Sequence, residues 1–122
     1  MKRRFRLRRR QDFDRVMKTQ RVYAGRALVA FARPSAEGRW RVGVTVSRRL
    51  RGAVQRNLVR RRLREAARIG LLAGTDERRE AGVEPMAYDV VLIGRPAAVE
   101  LPLAALEEEA ARVRSRLMGT GS

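Results

Sequence analysis

The hydrophobic and polar positions change period several times along the chain, and each change predicts an element. Phe13, Val16 and Met17 recur at i, i+3 and i+4, which predicts a short helix over Gln11 to Thr19. From Val22 to Ala32 the β-formers Val22, Leu28, Val29 and Phe31 predict extended chain, with Gly25 as a bend or bulge. Trp40, Val42, Val44 and Val46 then alternate with Arg41, Gly43 and Thr45. That period of two predicts a strand with its larger residues under helices and with Gly43 and Thr45 on an open, shallow floor. The turn Pro34–Gly38 between the two extended segments predicts a hairpin. Tyr88 to Ile93 is apolar apart from Asp89, as in a strand buried on both faces. A last stripe, Leu103, Leu106, Ala110, Val113 and Leu117, predicts a helix with Pro102 near its first turn. Its acids, Glu107 to Glu109, precede Arg112, Arg114 and Arg116, the order the helix dipole favours. Gly70 to Pro85 carries mixed charge, with Gly74 and Gly82 as breakers, and reads as irregular. The order is α-β-β(-β)-α-β-α, an α+β sandwich in one domain over 1–122.

One segment departs from this ordinary patterning. Ser47 to Arg68 holds nine arginines and one acid, Glu65, a net +8 that is half of the chain's +16. From Ala53 it has good helix formers and neither Pro nor internal Gly. At about 100° per residue from Val54, Arg56, Asn57, Arg60, Arg61, Arg64 and Arg68 share an arc of roughly 140°. Val54, Leu58, Val59, Leu63, Ala66 and Ile69 fall opposite, and Arg62 points into that apolar arc, where its head can snorkel to the edge. Like charges at i, i+4 cost about 0.2–0.5 kcal/mol per pair, so a ridge of this kind points to a polyanion, for which planar guanidinium forks are suited. A solvated basic face is the plain alternative. Residues 1–10 carry +7 and read either as a basic tail or as an arm that follows RNA or packs Phe5 and Leu7 on the body. Residues about 119–122 read as a flexible tail.

The chain has no Cys and no His, which excludes disulfides, zinc fingers and His or Cys catalysis. Nine of its 13 acids lie in residues 69–122, away from the basic face. Protein-based hydrolysis of RNA needs a carboxylate metal cage or an acid–base pair, so the ridge is expected to bind RNA and not to cut it. No apolar run reaches 18 residues and the basic N-terminus lacks an apolar h-region. A cytoplasmic protein without membrane contact is the expectation.

Ser47-Arg48-Arg49-Leu50, Gly52-Ala53-Val54, Arg56-Asn57 and Arg60-Arg61-Arg62-Leu63-Arg64-Glu65 resemble the signature of the bacterial ribonuclease P protein subunit. Asp12-Phe13 and Arg95-Pro96-Ala97 match the same family, in the same order. The resemblance covers roughly residues 5–117. Arg51-Gly52 stands where that family usually has Gly-Asn, Leu58 where it has a second Arg, and Met17 where it often has an aromatic. The resemblance implies an α-β-β-β-α-β-α fold like a ribosomal-protein domain, with a left-handed β-α-β crossover. It implies that Arg48, Arg49, Arg56, Asn57, Arg60, Arg61, Arg64 and Arg68 bind RNA, and that Phe13, Met17 and Phe31 line a cleft for the 5′ leader of precursor tRNA. It further implies ribonuclease P RNA as partner and as carrier of the chemistry. Magnesium would sit in the RNA–protein assembly and none on the protein alone, which is expected to be monomeric outside the complex. A ribosomal or RNA-chaperone protein would carry the same charge. A DNA-binding helix would call for mixed Gln, Ser and Thr readers beside the arginines.

Overall fold

The computed structural model describes residues 2–75, 80, 82 and 86–119. The expected flexible tail, beyond Gly119, and most of the predicted irregular stretch after Thr75 lie outside the described residues.

The first predicted helix forms as α1 (Arg10–Met17) and the extended segment as two strands, β1 (Arg21–Ala24) and β2 (Leu28–Pro34). β1 and β2 pair antiparallel through a tight turn in which the Gly25 N–H bonds the Leu28 carbonyl at 2.9 Å. β3 (Arg41–Val46), α2 (Ala53–Ala67), β4 (Tyr88–Gly94) and α3 (Leu103–Leu117) follow, with a 3-10 turn at Pro96–Val99. Four strands make one sheet in the order β1-β2-β4-β3.

The hairpin expected between the second extended segment and β3 does not form. β4 lies between them, antiparallel to β2 and parallel to β3. The cause is β4 itself: Asp89 to Leu92 are all buried, and a strand apolar on both faces gains most in the sheet centre, covered on each side. β3 and β4 are therefore joined by a crossover through α2.

The two sheet faces bury different cores. Val42 and Val46, Val90 and Leu92, and Leu28, Ala30 and Ala32 face α2 and α3, where Trp40, Leu63, Leu71, Leu106 and Val113 complete the main core. The other face holds a smaller cluster of Leu7, Val16 and Val91 with Phe13, Phe31 and Ile93, covered by α1 and the N-terminal arm. The alternation read in β3 is thus borne out, but its floor is not open at Gly43. A Cβ there would lie 2.4 Å from Phe13 Cζ, so glycine is what lets the ring lie on the strand. Gly43→Ala is expected to push Phe13 and α1 off the sheet and cost about 1–3 kcal/mol, the usual range for overpacking. Urea denaturation measures it, and an unchanged midpoint would show that the ring is loosely held.

Residues 2–9 are not a free tail. Arg3–Phe5 form a 3-10 turn, Arg6 bridges Val42 in parallel, and Leu7 donates its N–H to the Val42 carbonyl at 3.0 Å. The arm covers the outer edge of β3, which would otherwise present unpaired backbone groups.

One further reading is corrected. The stretch expected to be irregular from Gly70 begins inside regular structure: Arg68–Leu72 form a π-helical turn with Leu71 and Leu72 buried. Glu109 is buried, and its Oε2 accepts the Ala27 N–H at 2.9 Å, tying α3 to the β1–β2 turn.

Candidate nucleic-acid interface

The loop after β3 sets the start of α2. Ser47 donates its N–H to the Gly94 carbonyl at 2.8 Å, and Leu50 bonds back to Ser47. Gly52 then takes φ +86° as the residue before the helix, a conformation that favours glycine over side-chain-bearing residues. Arg48 and Arg49 are exposed on this loop. Arg56 reaches back and donates to the Ser47 and Leu50 carbonyls at 3.3 and 2.9 Å. It fastens loop to helix, so one of its terminal nitrogens is occupied within the fold.

α2 buries Val59, Leu63, Ala66 and Ala67. That stripe is rotated from the predicted one. Val54 is 83 % exposed and Ile69 40 % exposed, although both were expected in the core. The helix meets the sheet and α3 on the Val59–Leu63 side, and its first turn overhangs into solvent. Arg62 does leave the ridge: its guanidinium donates to the Ala98 carbonyl at 3.0 Å and to the Leu101 carbonyl. It satisfies the carbonyls around the 3-10 turn and is a fastening within the fold.

The remaining arginines form the ridge. Asn57, Arg61 and Arg68 are exposed, Arg60 and Arg64 half-buried. Arg60 donates to Asn57 Oδ1 at 3.1 Å, which orients both. Arg68 is paired with Glu65, whose carboxyl is held below its usual pKa by that hydrogen bond. The far end of the ridge is thereby locally neutralised. Arg64 has no such partner among the described residues: burial, then Arg6, then Arg60 lower its pKa from the ordinary arginine value. Val54, Asn57, Arg60, Arg61 and Arg64 line a shallow concavity of about 510 Å³.

On the α1 face of the sheet, Phe13 and Phe31 are half-buried and share the cluster of Leu7, Val16, Val91 and Ile93. Met17 lies outside that cluster and is 38 % exposed. The register places Val29, Ile93 and Thr45 side by side across β2, β4 and β3, on the same face and one row beyond Phe31, Val91 and Gly43. All three are half-buried, so this row forms an apolar strip next to the two rings. Thr45 keeps its predicted place on the floor. Val29 and Ile93 were read from sequence only as strand residues and not as part of a cleft, because their place beside Phe31 depends on strand register.

A cluster that sequence reading missed supports this face. Arg41 and Asp89 are opposed on β3 and β4 and form a bidentate pair, Nε to Oδ1 at 2.9 Å and Nη2 to Oδ2 at 2.8 Å. Hydrogen bonding to Asp89 raises the pKa of Arg41. Arg41 also lies 3.8 Å from Asp12 and 3.3 Å from Glu37. Asp12 thus links α1 to the sheet while the next residue, Phe13, covers Gly43. The only sequence signal was Asp89 at the head of an apolar run. Among the described residues, no group of three or more Asp or Glu side chains is placed to hold a metal ion.

Comparison with known proteins agrees with this geometry. The family model described as Ribonuclease P matches residues 1–118. A Chloroflexus aurantiacus protein named ribonuclease P protein component is 38 % identical over 110 residues, covering 89 % of this chain and 74 % of that protein. A Dehalococcoides mccartyi protein of the same name is 35 % identical over 120 residues, covering 98 % and 86 %. The ribonuclease P protein structure from Thermotoga maritima superposes with a TM-score of 0.66 at 25 % identity, covering 91 % of this chain and 96 % of that one. A Staphylococcus aureus ribonuclease P protein, a mutant described as defective in mRNA degradation activity, gives 0.66 at 24 % identity over 94 % and 88 %. The mixed α+β fold, the arginine helix and these matches over nearly the whole chain agree: the chain belongs to the ribonuclease P protein family.

Proposed function

We propose that this chain binds the catalytic RNA of ribonuclease P and the 5′ leader of precursor tRNA, and assists endonucleolytic removal of the leader to give the mature tRNA 5′ end. The observation that carries the reading is the α2 ridge: a fixed row of guanidinium groups on one helix, with a described carboxylate partner only for Arg68. Arg60, Arg61 and Arg64, with Arg48 and Arg49 at the loop, are placed to lower the repulsion between two RNA chains. Asn57, held by Arg60, would order a phosphate or an RNA backbone group. The strip of Val29, Ile93 and Thr45 beside Phe31 and Phe13 suits unpaired leader nucleotides, held by stacking and shape with little sequence preference. Met17, exposed on α1 and outside that cluster, would add a softer contact.

In this reading the RNA carries the hydrolysis. Magnesium, when bound within the RNA–protein assembly, would supply charge neutralisation and an activated water, and no residue of this chain is assigned to it. The protein is monomeric outside the complex and acts in the cytoplasm. No described helix is long and apolar enough to cross a membrane.

The test is reconstitution with the ribonuclease P RNA of the same organism, followed by precursor-tRNA cleavage at low magnesium. Cleavage is expected only with RNA and protein together, and sustained cleavage by RNA-free protein would overturn the division of labour. Arg60→Ala with Arg64→Ala is expected to weaken binding to the catalytic RNA. It should also lower the slope of log K against log salt by about 0.7–0.9 per lost phosphate contact. Far-UV circular dichroism should hold, since Ala favours helix. An unchanged slope would leave the ridge a merely solvated face.

A further inference from the structure

The arginines of the N-terminal arm stand outside the ridge, and the fold does not leave them on a free tail. Leu7 is buried under α1 and its N–H is bonded to Val42, while Arg6 bridges the same residue. These anchors hold Arg3, Arg6, Arg8 and Arg9 exposed around a groove of about 730 Å³, which Arg15 and Arg39 also line. The two carboxylates of the groove are already engaged. Asp12 faces Arg15 and Arg41, and Glu37 faces Arg39 and Arg41. Among the described residues, Arg3, Arg6, Arg8 and Arg9 pair with no carboxylate.

A docked arm that gathers unpaired cations works against itself. Like charges held in one groove repel, and the arm's attachment comes from Leu7 and the β3 edge rather than from those charges. The repulsion reaches α2, because Arg6 is one of the two charges that disfavour the cationic form of Arg64. Lys2 and Phe5 of the arm line one cavity of about 480 Å³ together with Arg68 of the ridge, so the arm and the ridge adjoin. A cationic surface therefore runs from Arg60 and Arg64 on α2, over Arg6, to Arg8 and Arg9 at the start of α1. Along α2 alone, Arg56 to Arg68 span about 18 Å at 1.5 Å per residue. The arm lengthens that surface and turns it around the edge of β3.

We propose that the arm groove is a second phosphate-backbone site, continuous with the α2 ridge through Arg6, so that one RNA-contact surface wraps from α2 over the arm to α1. The proposal rests on the RNA-binding reading and extends it to residues beyond the signature segment. Charge complementarity sets the occupant: forked cations without carboxylate partners fit the phosphates of an RNA strand. The arm's anchors hold the arginines in place without drawing on their side chains.

The experiment is binding of the full chain to a uridylate homopolymer across a salt series. Arg3→Ala, Arg8→Ala and Arg9→Ala are combined, leaving Arg6 and Leu7 to hold the arm. The log–log slope is expected to fall by about 2, at roughly 0.7 per contact on single strands, with an unchanged thermal melt. The matching triple Lys variant is expected to keep the slope. An unchanged slope in the Ala variant, with the Arg60/Arg64 variant still showing its loss, would overturn the groove and leave the ridge reading intact. A Lys variant that loses as much as the Ala variant would equally overturn it, because the contact would then not depend on charge. Loss in neither the arm nor the ridge variant would remove the RNA-binding reading itself.

Discussion

Asp89→Ala is expected to destabilise the protein by about 3 kcal/mol. Arg41 and Asp89 are 12 % and 8 % exposed at their side chains and share two hydrogen bonds across the β3–β4 pairing. Removing one member of a buried pair typically costs about 3–5 kcal/mol, because the other charge is left without a partner in low dielectric. Glu37 at 3.3 Å and Asp12 at 3.8 Å still face the guanidinium, which places the loss at the lower end. Combining Asp89→Leu with Arg41→Met is expected to recover most of it, since a well-packed apolar pair often matches a buried ion pair. Urea denaturation of the two variants measures both effects. A loss below 1 kcal/mol for Asp89→Ala would mean that solvent or Glu37 already carries the guanidinium. The substitution also bears on the site: Arg41, which Asp12 faces at 3.8 Å, loses the bidentate bond that orients it, and this loosens one tie of α1 to the sheet beneath Phe13.

Phe31→Ala is expected to separate leader binding from general RNA binding. Affinity for precursor tRNA with a leader several nucleotides long should fall by about 5- to 150-fold, the range for losing one base–aromatic stack of about 1–3 kcal/mol. Affinity for mature tRNA should hardly change, because it has no leader to occupy the strip. Phe31 also packs on Leu7, Val16 and Val91. Since it is only half-buried, a stability loss of about 1–3 kcal/mol is expected, below the 3–5 of a fully buried Phe. Binding is therefore measured well below the melting temperature of the variant. Equal losses for both substrates in a folded variant would remove Phe31 from the leader contact.

Much of the molecule was legible in the sequence, for a local reason. The alternation of β3, the stripe of α3 and the double-sided apolar run of β4 are fixed by which residues stand two, three or four positions apart. That spacing follows from backbone geometry alone. The arginine ridge of α2 was legible in the same way. The resemblance to the ribonuclease P protein subunit rested on contiguous residues and needed no tertiary contact.

What the tertiary structure decided depends on partners distant along the chain. Periodicity placed an apolar arc on α2 but could not choose where its centre meets the sheet. Burial of Val59, Leu63, Ala66 and Ala67 left Val54 and Ile69 in solvent. Spacing already set Arg62 off the ridge, but its acceptors, carbonyls 36 and 39 residues away, came only with the fold. The hairpin expected from adjacency gave way to β4, whose two apolar faces gain more in the sheet centre than at an edge. Arg41 and Asp89, 48 residues apart, read as separate charges until strand register placed them opposite each other. The arm is the extreme case. Its first residues read as a solvated tail or a docked segment with equal reason, and only the unpaired edge of β3 and the apolar cluster under α1 give Leu7 a place to bury. Local spacing determines which faces a segment can offer; the free energy of burying them against one another determines which are used.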